Sequence, residues 1–226
     1  EEDDEVRPYI VRAREMKTQP RSDAGYVRHL FDQFATDYDQ RMIGHLGYAA
    51  PRILRDLADM VMQGRDGLTV LDLGCGTGLT GVAFEDIAYR LDGIDLSPVM
   101  VEKARARNLY DSLAVADIET ALTAEGVSYD LVLASDTLVY LGDLEPVFKG
   151  VRCRLKADGF FLFTVESKPG DLFELGPKRR WRHSETYLRD LAAGSGFDVA
   201  GFVTCAPRHE ANVPVEGFAV ALSRLP

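Results

Sequence analysis

The stretch Thr69 to Gly81, reading Thr-Val-Leu-Asp-Leu-Gly-Cys-Gly-Thr-Gly-Leu-Thr-Gly, constrains this chain more than any other. A β-rich apolar run ends in a cluster of glycines and passes at once into a helical pattern. Strand, tight turn, helix is the order by which a parallel sheet aims free backbone N–H groups at a nucleotide-like ligand. The glycines leave the ligand open. Gly76-Thr77-Gly78-Leu79-Thr80-Gly81 fits the dinucleotide spacing G-x-G-x-x-G, and Asp95, ending the next strand, is placed to hold the ribose of NAD. Asp72 argues the other way. It sits inside the first strand, where a dinucleotide fold wants an apolar residue, and a carboxylate buried there needs a cationic or hydrogen-bond-donating partner.

Around this stretch, strand and helix patterns alternate. Val70 to Leu73 reads as a strand and Thr77 to Ala88 as a helix. Leu91 to Leu96 is a second strand, followed by a helix over Pro98 to Asn108 that Ser97 caps and Pro98 opens. Leu113 to Ile118 is a third strand, and Tyr129 to Ser135 is a continuous apolar run of the kind covered on both faces. Leu141 to Leu155 carries a helical stripe, Phe160 to Val165 is the fifth strand, and Ser184 to Ser195 is a helix. Val199 to Thr204 and Val215 to Leu222 have only Pro207 to Pro214 between them, so they pair as an antiparallel hairpin. The expected fold is α/β, a Rossmann-like doubly wound sheet of seven strands closed by that hairpin.

Upstream, helical spacing over Tyr26 to Tyr38 and Tyr48 to Met62 places two amphipathic helices before the sheet, able to cap its ligand edge. Residues 1–25 carry an acidic tip, a helical candidate over Val6 to Met16 and a breaker at Pro20, and read as a loosely docked arm. The expected division is an N-terminal arm and helical lid over 1–50 and a ligand-binding domain over 51–226. A net charge of −10 disfavours nucleic acid and anionic membranes as partners, which leaves a small molecule. Cys75, Cys153 and Cys205 are odd in number and far apart, so neither disulfides nor zinc are expected, and no histidine spacing suggests a metal. With no apolar run near the roughly 20 residues of a membrane span, the expected location is cytoplasmic.

Asp72-Leu73-Gly74-Cys75-Gly76-Thr77-Gly78 resembles motif I of the class I methyltransferases that use S-adenosylmethionine (SAM). Leu91 to Met100 resembles their motif II, Ala116-Asp117-Ile118 their adenine-side motif, and Tyr129 to Asp136 their motif IV. The resemblance implies SAM as cofactor and S-adenosylhomocysteine (SAH) as product, with Asp95 on the ribose. It also implies cofactor contacts from Asp72, Gly74, Cys75, Gly76, Gly78, Leu96, Met100, Asp117, Ile118 and Ser135. Leu30 to Asp39 resembles the helix that closes over the cofactor in small-molecule methyltransferases, which puts Tyr38 at the methionine end. Phe31 to Pro51 and Arg182 to Tyr187 resemble methyltransferases that sit behind tetratricopeptide repeats; the chain itself has no such repeat, and a protein partner is unknown.

The implied reaction is methyl transfer to a small-molecule acceptor, which needs alignment and exclusion of water, and a general base only if the acceptor must lose a proton. Asp136, Tyr140 and His183 are the candidates for that chemistry. The basic run Lys178 to Arg182 reads either as an anion-binding element or as a solvated loop, and Trp181 as pocket wall or core cover. Two rivals stand beside this reading: a module that binds SAM or SAH without catalysis, and an NAD-dependent oxidoreductase.

Overall fold

Val70, Leu131, Leu133, Leu162, Ala219 and Ala221 fall in one buried apolar cluster, while Leu71, Val132, Ala134, Phe161, Phe163 and Val220 fall in another. Neighbours along each strand thus face opposite ways, and both faces of the sheet are covered. The computed structural model describes residues 21–35, 38–45 and 47–225. The helical candidate Val6 to Met16 and the breaker Pro20 lie outside these residues.

The described elements begin with α1 (Ala24–Phe34), a π-helical turn (Gln40–His45) and α2 (Ala50–Met62). The alternating part runs β1 (Leu68–Leu73), α3 (Leu79–Phe84), β2 (Ala88–Asp95), α4 (Pro98–Ala106), β3 (Ser112–Val115), α5 (Ile118–Thr123) and β4 (Tyr129–Ala134). A 3-10 turn (Leu138–Tyr140) leads to α6 (Glu145–Arg154) and β5 (Leu155–Ser167). Two short strands follow, β6 (Phe173–Leu175) and β7 (Trp181–His183), then α7 (Glu185–Gly194) and β8 (Phe197–Cys205). The short β9 (His209–Glu210) and β10 (Val213–Pro214) pair with each other, and β11 (Gly217–Arg224) closes the fold.

The main path of the sheet is β3-β2-β1-β4-β5-β11-β8, seven strands, with β7 joined to β5 and β6 to β7. Strands β1 to β5 run parallel, and β11 is antiparallel to both β5 and β8, as the hairpin pattern predicts. The chain winds outward in one direction from β1 and in the other from β4, so their carboxyl ends form the topological switch point where such sheets hold ligands. α2 and α3 cover one face through Leu54, Leu57, Met62 and Phe84; α5, α6 and α7 cover the other through Leu122, Phe148 and Leu188.

Several expected boundaries shift. The helix expected over Thr77 to Ala88 spans only Leu79–Phe84, and Ala88 already belongs to β2. The third strand stops at Val115, because the Asp117 carboxylate takes the N–H groups of Glu119 and Thr120 and starts α5 where the pattern reads as strand. The helix expected from Leu141 begins at Glu145, and that expected from Tyr48 begins at Ala50. At α2 the N–H groups of Ala49 and Ala50 both donate to the Pro207 carbonyl, so a loop from the far end of the chain satisfies donors that a side chain usually caps.

Candidate functional site

A cavity opens at the switch point, and the residues that build it come from five places in the sequence. Its floor is the turn after β1, Gly74-Cys75-Gly76-Thr77. Gly74 has φ +70°, and a Cβ there would lie 2.4 Å from Thr137 Oγ1, so the turn passes the end of β4 only as glycine. One side is Asp95 and Leu96 at the end of β2, with Asp117 and Ile118 beyond β3. The other is Ser135, Asp136, Thr137 and Tyr140 after β4. Phe31, Tyr38 and Tyr48 line it from the N-terminal segment.

Asp95 ties these parts together. One carboxylate oxygen accepts the Gly76 N–H at 2.9 Å and the other the Ser97 N–H at 2.8 Å. Burial raises its pKa, opposed by those two N–H groups. Ser97 in turn caps α4 and donates its hydroxyl to Asp32 of α1 at 2.5 Å. A second tie joins the same regions: Thr77 donates its hydroxyl to Asp39, whose carboxylate also pairs with Arg107, and Arg107 donates to the Thr77 carbonyl at 2.6 Å. Arg21 closes the far side by pairing with Asp117 and Glu119, while the Ser22 N–H donates to the Tyr140 carbonyl.

Asp72 lies beneath this cavity rather than in its wall. It is fully buried, and its Oδ2 accepts from the Tyr110 hydroxyl at 2.8 Å; its Oδ1 has no hydrogen-bond partner among the described residues. Burial raises its pKa to about 7, against the lowering effect of that hydroxyl. The donor that the sequence demands is therefore a tyrosine of the chain. Gly78 and Met100 likewise support the turn and the start of α4 without lining the cavity.

At the other end Asp136 has φ +55°, a left-handed conformation that aspartate tolerates, and its N–H donates to Thr164 Oγ1. Its carboxylate pairs with Arg208, which is 3% exposed and pairs also with Glu166. Burial raises the Asp136 pKa, and the Arg208 and Arg180 charges oppose that. Burial also raises the phenols of Tyr38, Tyr48 and Tyr140, with Asp136 adding to each. Tyr48 shares a hydrogen bond with Ser135 Oγ at 3.1 Å, and the Phe31 ring meets Tyr140 edge-on at 5.4 Å.

His183, expected in the loop after the fifth strand as a candidate for the acceptor chemistry, does not line the cavity. It is fully buried on β7, bonded through Nε2 to the Gly142 carbonyl at 3.0 Å and stacked on Tyr187. Burial lowers its pKa to about 4, so it is a neutral packing residue. Trp181 is buried two residues away against Phe173 and also lies outside the cavity. The basic run lies outside the cavity, and its first residues, Lys178 and Arg179, sit on an exposed turn, as the solvated-loop reading has it. Lys178 pairs with Glu210, Arg180 with Glu166 and Glu210, Arg182 with Glu166, and Arg179 lies over the Tyr26 ring of α1. Among the described residues no group of His, Cys, Asp and Glu is arranged to hold a metal ion, and no helix is long and apolar enough to cross a membrane.

A parallel sheet with an antiparallel closing strand, a glycine turn after β1 and an acid ending β2 make a specific combination. Residues 70–159 match the family described as the methyltransferase domain. Over those residues the chain carries a methyltransferase domain. Human methyltransferase-like protein 27 is 35% identical over 127 residues, which is 54% of this chain and 51% of that protein. The malonyl-[acyl-carrier protein] O-methyltransferase of Geobacter sulfurreducens is 32% identical over 147 residues, 62% of this chain and 52% of that protein. The chain thus spans about half the length of these relatives. The fold of the methyltransferase domain extends further than its sequence likeness. The SAH-bound structure of magnesium protoporphyrin IX methyltransferase from Synechocystis aligns with a TM-score of 0.70 at 18% identity, over 90% of this chain and 100% of that one.

Proposed function

We propose that this domain binds SAM in the cavity at the switch point and directs methyl transfer to a small-molecule acceptor. The observation that carries the reading is Asp95, whose carboxylate is fixed by the glycine turn on one side and the start of α4 on the other. Each oxygen keeps a lone pair for the vicinal hydroxyls of a ribose. Gly74, Cys75 and Gly76 give a backbone surface close to the ligand, and Leu96 and Ile118 an apolar slot for the adenine beside Asp117. Tyr38 and Ser135 take the methionine end. Asp72, Gly78 and Met100 hold the turn in shape from outside the cavity. Bound SAM supplies a methyl group on a positively charged sulfur, and that charge disappears as the methyl moves. The chain's task is then to align the acceptor and exclude water, which we assign to the tyrosine wall and to a lid formed by the described residues before 51 over the domain 51–226. Asp136 and Tyr140 are the groups at hand to orient an acceptor. The location we assign is cytoplasmic, consistent with an acidic chain acting on a small molecule.

Calorimetric titration with SAM, SAH and NAD tests this. SAM and SAH bind, NAD does not, and Asp95→Ala weakens SAH by about tenfold or more, as expected for losing hydrogen bonds to a charged group. Binding of NAD alone would sink the reading.

A further inference from the structure

We propose that the cavity beyond Ser135 selects an amine, a small acceptor with a basic nitrogen on an apolar or aromatic body, with Asp136 as its counter-charge and Tyr38, Tyr48 and Tyr140 as its walls. This rests on the cofactor reading above, which gives the glycine turn, Asp95 and Asp117 to SAM, sets Tyr38 and Ser135 at its methionine end, where Tyr38 also borders the acceptor, and leaves the cavity beyond Ser135 to the acceptor.

Charge decides the class. Among the described residues that line the cavity the charged ones are Arg21, Asp95, Asp117 and Asp136, and with Asp95 and Asp117 given to the cofactor, Asp136 is the carboxylate beside the phenols of Tyr38, Tyr48 and Tyr140. The cations nearby are turned elsewhere. Arg208 stands behind Asp136, 3% exposed and outside the cavity lining, and its guanidinium is shared among Asp136, Glu166 and, at 3.4 Å, Glu210. Arg180 joins Glu166 to Glu210, and Lys178 pairs with Glu210. Arg21 lines the cavity with its backbone bridged to Leu141, but its guanidinium reaches across to pair with Asp117 and Glu119. A carboxylate acceptor would therefore meet Asp136 while each of these cations is already paired with carboxylates, whereas an ammonium would meet a carboxylate and three phenol rings whose faces attract a cation.

The ion cluster explains how a carboxylate persists there. Burial and the Glu166 charge favour its protonated form; Arg208 and Arg180 favour the anion. The three phenols facing it are held neutral by burial, so they donate hydrogen bonds and add no charge. Arg208 is a positioning residue, anchored beside Pro207, whose carbonyl receives the first N–H groups of α2.

The rival role for the same carboxylate is to face the sulfonium of SAM, and the test separates the two. Phenethylamine and phenylacetate, close in shape and opposite in charge, are titrated into the protein with and without saturating SAH. Phenethylamine is expected to bind the SAH complex, phenylacetate about tenfold more weakly or not at all, and Asp136→Asn to cut phenethylamine affinity by about tenfold. Should Asp136→Asn fail to fold, Tyr140→Leu leaves the ion cluster intact and is expected to weaken phenethylamine severalfold with SAH affinity unchanged. Three results would overturn the proposal: phenylacetate binding as well as phenethylamine, no phenethylamine binding up to about 10 mM, or an Asp136→Asn variant that loses affinity for SAM but not for SAH or phenethylamine. The last assigns Asp136 to the sulfonium. Failure of SAH itself to bind wild-type protein is a separate result and sinks the cofactor reading instead.

Discussion

At the ring of Tyr110 three separate features of the sequence meet. A Cβ at Gly81 would lie 2.5 Å from its hydroxyl oxygen, one at Gly93 would lie 2.9 Å from its ring, and its hydroxyl bonds Asp72. The third glycine of the apparent dinucleotide spacing is therefore glycine to admit a tyrosine. Tyr110→Phe keeps the ring and leaves the buried Asp72 without its donor. The expected cost is about 1–3 kcal/mol, read as a lower urea midpoint at an unchanged slope; a midpoint equal to wild type would show that Asp72 is satisfied some other way. That Asp72 needs a donor is legible in the sequence, since burial of an acid demands one. Which donor is not, because Tyr110 stands 38 residues away and reaches Asp72 only once β2 and β3 are paired. His183 teaches the converse: the sequence reads it as a loop residue after the fifth strand, but β7 pairs with β5 and draws it into the core.

At the scale of elements, periodicity locates α1 and α2 but not what fastens α1 and the segment after it beside the cavity. Polar contacts do so: Asp32 to Ser97, Asp39 to Thr77 and Arg107, and Arg179 over Tyr26. Asp39 is 41% exposed, so its ion pair is worth no more than about 1 kcal/mol. Asp39→Ala is expected to leave the fold intact, speed amide hydrogen exchange over residues 38–45, and weaken SAH by at most about fivefold. Unchanged exchange there would mean that the segment is held by its apolar contacts alone. The short strands β6 and β7 escape sequence reading because three residues carry no usable alternation, and α5 escapes it because its start is set by a cap inside an apolar run.

Across the whole molecule two buried groups pull stability in opposite directions over one pH range. His183 titrates near 4 in the fold and 6.5 when unfolded, so as pH falls from 6.5 to 4 the unfolded chain takes up a proton that the fold refuses. Stability then falls by up to about 3 kcal/mol. Asp72 titrates near 7 in the fold and 3.8 when unfolded, so over the same interval the fold holds a proton that the unfolded chain lacks, and its contribution rises as pH falls and is lost as pH climbs through 7. Asp72→Asn keeps an acceptor for Tyr110 and removes one of the two slopes. Compared with wild type, it is expected to lose more stability between pH 6.5 and 4, while His183→Phe loses less. Urea titrations at pH 4.5 and 7 measure both differences, and profiles parallel to wild type would refute the opposition.

The sequence by itself determines the parallel sheet, its antiparallel closure and the glycine turn with Asp95, because each is encoded in a short run by apolar period, turn chemistry and spacing. The same local coding makes the methyltransferase motifs readable. Only the tertiary structure decides which polar groups meet: Tyr110 beneath the turn, Arg208 behind Asp136, Arg21 across Asp117, and His183 away from the site. Those pairings join residues tens of positions apart, and a side chain far along the chain has no local signature until strand order and register bring it to the same place.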